Sequence, residues 1–196
     1  VTDNGDGTLT AKADTGKFTN TYATVNDNIP INMNGTKTID TNGVEGLTPP
    51  KLKDNFTFNI TALDDGAPVP KYTTAKTDEN GKVDFGTATF NSSLLEGVTA
   101  AEDGSRTKEF KYEVTEEKGN LPGVTYDTEE KTFTVTLQDD GNGELSATTS
   151  NADGQPLFAF KNSYGVEPKT SSITDTIQIQ KVLEGRTLQE GEFTFQ

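Results

Sequence analysis

The 196-residue chain has no cysteine and no histidine. The first absence excludes disulfides, thiolate metal sites and a cysteine nucleophile. The second removes the usual general base and the commonest transition-metal ligand, so neither a triad hydrolase nor a zinc enzyme is expected. Basic residues are scarce: 17 Lys and Arg stand against 31 Asp and Glu, a net charge of −14. A nucleic-acid backbone demands a basic footprint, so nucleic acid is not an expected partner. The acidity suits a soluble, self-repelling surface protein. Apolar runs are short, and no segment is expected to insert into a membrane. No signal peptide or C-terminal sorting motif is present, and the chain reads as an interior piece of a longer one. If the protein is extracellular, something other than a disulfide must lock it.

The chain does contain 11 Phe and 5 Tyr, spaced among Thr and Val in short alternating runs, as half-buried strands require. Strands are expected at 30–39, 55–63, 72–76, 83–91, 108–116, 124–126, 131–138, 144–149 and 158–164. Gly, Asp and Asn clusters such as Asp64-Asp-Gly66 and Asp78-Glu-Asn-Gly81 mark the turns. Helical periodicity is weak, with at most a short turn at 92–96. Many short strands joined by polar turns predict an all-β fold, an antiparallel Ig-like β-sandwich, with long surface loops at 40–54 and 97–107.

An internal repeat organises the chain. Asp3-Asn-Gly-Asp-Gly7 followed by Phe18-Thr-Asn20-Thr-Tyr22 returns as Asp139-Asp-Gly-Asn-Gly143 followed by Phe160-Lys-Asn162-Ser-Tyr164. Residues 177–196 echo residues 33–58. Residues 1–24 then read as the C-terminal strands of a preceding repeat, 25–166 as a complete domain, and 167–196 as a linker and the N-terminal strands of a following repeat. The Asp/Asn/Gly turns lack the spacing and the final Glu of an EF-hand loop, so they read as hairpin turns and no metal is expected.

Side-chain alternation puts polar groups on apolar faces. Ile31, Met33, Gly35, Lys37 and Ile39 share one face; Phe110, Tyr112, Val114 and Glu116 share another; Phe158, Phe160, Asn162 and Tyr164 share a third. Lys and Glu are almost never fully buried unless paired, so the three polar groups are expected to meet. Glu117 falls on the opposite, polar face. The Asn34-Gly35 step interrupts the apolar row just before Lys37, which leaves Lys51 and Lys53 as competing lysines. In a dry core, desolvation favours a neutral amine and a neutral carboxylic acid. The amine is then a nucleophile toward a polarised Asn carboxamide. A protonated Glu can donate to that carbonyl and shuttle protons to the leaving group. The product is a side-chain amide, made in a single turnover with no cofactor.

Lys37 with Phe56-Thr-Phe58, Tyr112-Glu-Val-Thr-Glu116, Pro122-Gly-Val-Thr-Tyr-Asp127 and Phe160-Lys-Asn162-Ser-Tyr164 together resemble the isopeptide-linked repeats of Gram-positive pilins and cell-wall-anchored surface proteins, of the streptococcal pilin linkage type. The resemblance implies that Lys37 is the nucleophile, Asn162 the acceptor and Glu116 the proton shuttle. It assigns Asn20 to the bond of the preceding repeat and Lys181 to that of the following one. It also implies a structural stalk module of an adhesin or pilus, extracellular and anchored to the cell wall through regions outside this chain, with neighbouring repeats as its partners. The alternative is a ligand-binding adhesin domain that contacts a host glycan or protein through its long loops.

Overall fold

A computed structural model describes residues 1–13, 15–152, 154–166, 182–187 and 189–194. Residues Val1–Gly165 form one compact unit and Val166–Gln196 a second. Within the second, Arg186 pairs with Glu192. Lys181 lies outside the described residues.

Eleven strands make up the first unit: β1 (Thr2–Asp3), β2 (Leu9–Thr10), β3 (Ile29–Asp40), β4 (Thr57–Ala62), β5 (Thr74–Lys76), β6 (Lys82–Phe90), β7 (Arg106–Glu116), β8 (Val124–Thr125), β9 (Lys131–Asp139), β10 (Leu145–Thr149) and β11 (Ala159–Tyr164). A single 3-10 turn, Ser92–Leu95, is the only helical element among the described residues. Strands β10-β9-β7-β4-β5 form one sheet, β6-β3-β11-β8 a second, and β1-β2 a separate hairpin. The two large sheets face each other across a core rich in phenylalanine. Phe58 of β4 meets Phe160 of β11 with ring centroids 5.1 Å apart, and Phe90 of β6 meets Phe110 of β7 at 5.5 Å. Such tilted aromatic pairs add specificity to plain burial. The fold is the predicted all-β sandwich, and every strand expected between residues 30 and 164 is present.

One strand pair departs from the antiparallel expectation: β11 runs parallel to β3. The two are the first and last long strands of the domain. They come from opposite ends of the chain, so no hairpin constrains their direction. The irregularity foreseen around Asn34-Gly35 lies in β6 instead. Asn32 faces Thr87 while Asn34 faces Asp84, so β6 carries one extra residue. Gly86, at φ 80°, occupies the bulge, a backbone state that glycine adopts without strain. The alternation of β6 shifts there, so Phe85 and Ala88 both face inward while β3 keeps its register. Gly35 itself has a packing reason. A Cβ at that position would lie 2.2 Å from the Phe158 ring, so the ring sits directly on the backbone of β3.

Gly35→Ala is therefore expected to push Phe158 off its site and cost about 1–3 kcal/mol, as overpacked cores do. Denaturant unfolding of the purified chain measures it.

Candidate functional site

Lys37, near the C-terminal end of β3, follows Met33 and Gly35 on the inward row and is buried. Its backbone is pinned as well as its side chain. The Lys37 N–H donates to the Gly81 carbonyl at 2.7 Å. Gly81, at φ 81°, approaches so closely that a Cβ there would lie 2.2 Å from the Lys37 carbonyl oxygen. The Asp78-Glu-Asn-Gly81 turn thus holds the lysine in place and requires glycine to do so. On the parallel neighbour, Phe160 stands beside Lys37 and Asn162 beside Ile39, so both polar residues project from one sheet into the core. Glu116 ends β7 in the facing sheet, next to Phe58 of β4.

The three side chains meet. Lys37 Nζ donates to Glu116 Oε2 at 2.6 Å, and Asn162 Nδ2 donates to Glu116 Oε1 at 2.8 Å. One carboxyl group bridges the amine and the carboxamide. Both members of the ion pair have wholly buried side chains, and Asn162 is fully buried. The rings of Phe56, Phe58 and Phe160 surround Nζ, with centroids 5.3, 5.9 and 5.9 Å away.

The orientation of Asn162 follows from a fourth group. The backbone N–H of Asp127 donates to Asn162 Oδ1 at 2.7 Å. An N–H can only donate, so the carboxamide oxygen must face it and Nδ2 must face Glu116. The expected donation from a protonated Glu116 to the carbonyl therefore gives way to a different division of labour. Asp127 polarises the oxygen, and Glu116 sits at the nitrogen. The amide of Asp127 is fixed by its own side chain, which accepts from Glu129 N at 3.1 Å and Lys161 N at 3.3 Å and lies 3.4 Å from Lys131 Nζ. Burial works against the charge of that carboxylate, but these backbone donors and the Lys131 ammonium hold it below its usual range.

Burial shifts both members of the pair toward their uncharged forms. Burial pushes Lys37 below the ordinary lysine range, only partly offset by the hydrogen bond to Glu116. Burial likewise raises Glu116, against the opposing pull of Lys37 and Asn162. Neutralisation is the usual response of an ionisable group taken out of water.

The other candidates stand elsewhere. Lys51 and Lys53 are exposed, in a loop tied to Thr77, whose carbonyl accepts from Asp54 N at 2.8 Å. Glu117 is exposed on the outer face, where it accepts from Asn59 Nδ2 at 2.9 Å. Asn20 is exposed, and residues 18–22 form no strand, unlike their second copy. Phe18 is 96% exposed, because no strand among the described residues lies beside it to pair with. The residue that sequence reasoning missed is Asp127. It stood within the quoted Pro122–Asp127 motif, but its contribution comes through a main-chain amide that no side-chain pattern reveals.

A buried, carboxyl-bridged Lys and Asn on adjacent parallel strands of a β-sandwich define a class: isopeptide-type domains. The chain belongs to the family described as FctA, the Spy0128-like isopeptide containing domain, which it matches over residues 33–165. The match takes in all four groups of the site and every long strand except the first four residues of β3. Among solved structures, the chain is similar to the major pilin protein (T-13) from a Streptococcus pyogenes serotype, with 22% identity and a TM-score of 0.28 over 74% of this chain. It spans 55% of that pilin chain. No curated protein matches.

Removing Lys37 takes away the hydrogen bond and the coulombic attraction that oppose the effect of burial on Glu116. The carboxyl is then raised further above the ordinary glutamate range of about 4.3. The sign follows: between that range and the raised native value the folded state binds the extra proton, so stability falls as pH rises. Lys37→Met is expected to melt lower at pH 7 than at pH 5. In Lys37→Met with Glu116→Leu that pH dependence is expected to vanish. Thermal melts across this window check it.

Proposed function

We propose that the domain crosslinks itself through an amide between Lys37 Nζ and Asn162 Cγ, and that this bond makes it a load-bearing stalk module of a pilus or surface adhesin. One observation carries the reading: a single dry carboxyl, Glu116, touches both the attacking nitrogen and the leaving nitrogen. Neutral Lys37 attacks the Asn162 carbonyl carbon. Charge developing on Oδ1 is met by the Asp127 N–H, which acts as a one-donor oxyanion site. Glu116 takes a proton from Nζ and returns one to Nδ2, so the C–Nδ2 bond breaks and ammonia leaves. Folding supplies the proximity that a bimolecular reaction would lack. The step balances without oxidant, metal or cofactor, and it happens once per chain. A cleft lined by Asp40, Asp127, Lys161 and Asn162 offers ammonia a short way out.

The topology supports the mechanical half. The chain enters the domain at the start of β3 and leaves it at the end of β11. A bond from Lys37 to Asn162 passes tension from the first strand to the last, so every residue between them is shielded from the pull. It closes a loop of about 125 residues, which by analogy with disulfides stabilises by about 4–5 kcal/mol. Unlike a disulfide it resists reduction, which suits a cysteine-free protein at a cell surface. Neighbouring repeats and other pilin subunits are its natural partners on this reading.

Intact-mass measurement is expected to find the chain about 17 Da below its calculated mass, one ammonia. Asn20 and Lys181 have no second Tyr-x-Val-Thr-Glu strand to serve them, so the deficit is one ammonia and not two. Glu116→Ala and Asn162→Ala are each expected to restore the full mass. A native chain at full mass would sink the proposal.

A further inference from the structure

The segment ahead of β3 is attached to the turn between β9 and β10 and to the start of the 3-10 turn. The Tyr22 hydroxyl donates to Asp139 Oδ1 at 2.6 Å. Three residues on, the Val25 N–H donates to the Gly143 carbonyl at 2.7 Å, and Val25 forms a parallel bridge with Glu144. Asn26 turns the chain in the left-handed conformation, at φ 61°, and Asp27 Oδ1 accepts from Ser92 N at 2.6 Å. Residues 22–27 are thus fastened at three points to the turn between β9 and β10 and to the start of the 3-10 turn. Asp139 is buried although it is acidic. The Gly141 amide at 3.0 Å and Arg106 Nη1 at 3.4 Å stabilise it in addition to Tyr22.

Both halves of this contact occur twice in the chain. Tyr22 and Tyr164 close the two Phe-x-Asn-x-Tyr strings. The two acidic turns share one geometry. Asp3 pairs with Leu9 as Asp139 pairs with Leu145. Asn4 N donates to Thr8 O at 3.0 Å as Asp140 N donates to Glu144 O at 3.0 Å. Gly5 N donates to Asp3 Oδ1 at 2.9 Å, matching the Gly141 bond to Asp139.

We propose that the acidic turn of each repeat is a socket for the tyrosine that ends the repeat before it, and that this contact fixes the angle between consecutive repeats. Tyr22 in Asp139 is one such joint. In the repeat pattern, Asp3 corresponds to Asp139 and Tyr164 to Tyr22. The occupant is therefore a neighbouring repeat of the same polypeptide. Linked domains move relative to one another unless a contact holds them, and here the link itself is pinned on its way into β3. The inference rests on residues 1–24 being the end of an upstream repeat, and it does not depend on the crosslink chemistry.

Amide hydrogen exchange on the 196-residue chain tests it. The Val25 amide is expected to be protected in the native chain, and Tyr22→Phe, which removes only the hydroxyl, is expected to speed its exchange at least tenfold. Amides of β7 and β9, and the ammonia deficit, are expected to stay unchanged in that variant. Asp139→Asn removes the acceptor charge from the other side and is expected to free Val25 in the same way. Val25 exchanging like an unstructured peptide in the native chain, or at an unaltered rate in Tyr22→Phe, would overturn the joint. A protected Val25 in a chain at full mass would leave the joint standing and remove the crosslink; a mass deficit with Val25 unprotected would do the reverse.

Discussion

The structure turns on one amine-carboxyl pair that has been taken out of water. Lys37 and Glu116 sit among phenylalanine rings with no exposed side-chain surface. A buried pair of this kind is at best a weak source of stability, since several kcal/mol of desolvation per ion must be offset. Much of the sequence around it makes sense as support for that placement. Gly81 lets a turn clamp the Lys37 backbone, Gly35 lets Phe158 lie flat on β3, and the Gly86 bulge lets β6 follow without disturbing the register of β3. Gly35 and Gly81 are required because a Cβ would overlap a ring or a carbonyl oxygen, and Gly86 because its φ of 80° is one that glycine adopts without strain.

Topology turns that local arrangement into a mechanical one. Had β3 and β11 been partners in a hairpin, a crosslink between them would enclose only a few residues and shield little. They are parallel neighbours from opposite ends of the domain, and Lys37 and Asn162 both lie near the C-terminal ends of their strands. On the proposed bond, the load path consists of most of β3, one amide and the last residues of β11. Apart from the contacts that fasten residues 22–27 to the β9–β10 turn, the five-stranded sheet lies off that path. It supplies Glu116 and the aromatic wall.

Much of this was legible because alternation in strands is a geometric rule. Lys37, Glu116 and Asn162 each fell in phase with buried neighbours, and each is found on the inward face, whereas Glu117, one residue out of phase, is outside. The parts that were not legible belong to the backbone or to tertiary context. Asp127 acts through a main-chain N–H, and Gly86 acts through a bulge that depends on its pairing with β3. The parallel sense of β3 and β11 depends on how the whole chain crosses between sheets. Residues 18–22 carry the same pattern as β11 but form no strand, because a pattern specifies a face and cannot supply a neighbour to bury it. Tyr22 alone of that string finds a partner, and it does so outside the core, at Asp139.

The energetics of the site also give the proposed reaction its direction. Before the bond forms, the fold carries an amine and a carboxyl that burial shifts toward their uncharged forms. Amide formation removes the ionisable amine altogether and leaves Glu116 free to remain a neutral acid in a dry pocket. The groups whose burial costs stability are thus consumed or neutralised by the chemistry that their burial promotes. Ammonia escapes to solvent, so the back reaction lacks a reactant. On the proposed reaction, one turnover converts a core that is electrostatically unfavourable in the newly folded chain into an uncharged one with a covalent strut across it. The pair's cost is then confined to the interval before the bond forms, in a chain with only 30% hydrophobic residues.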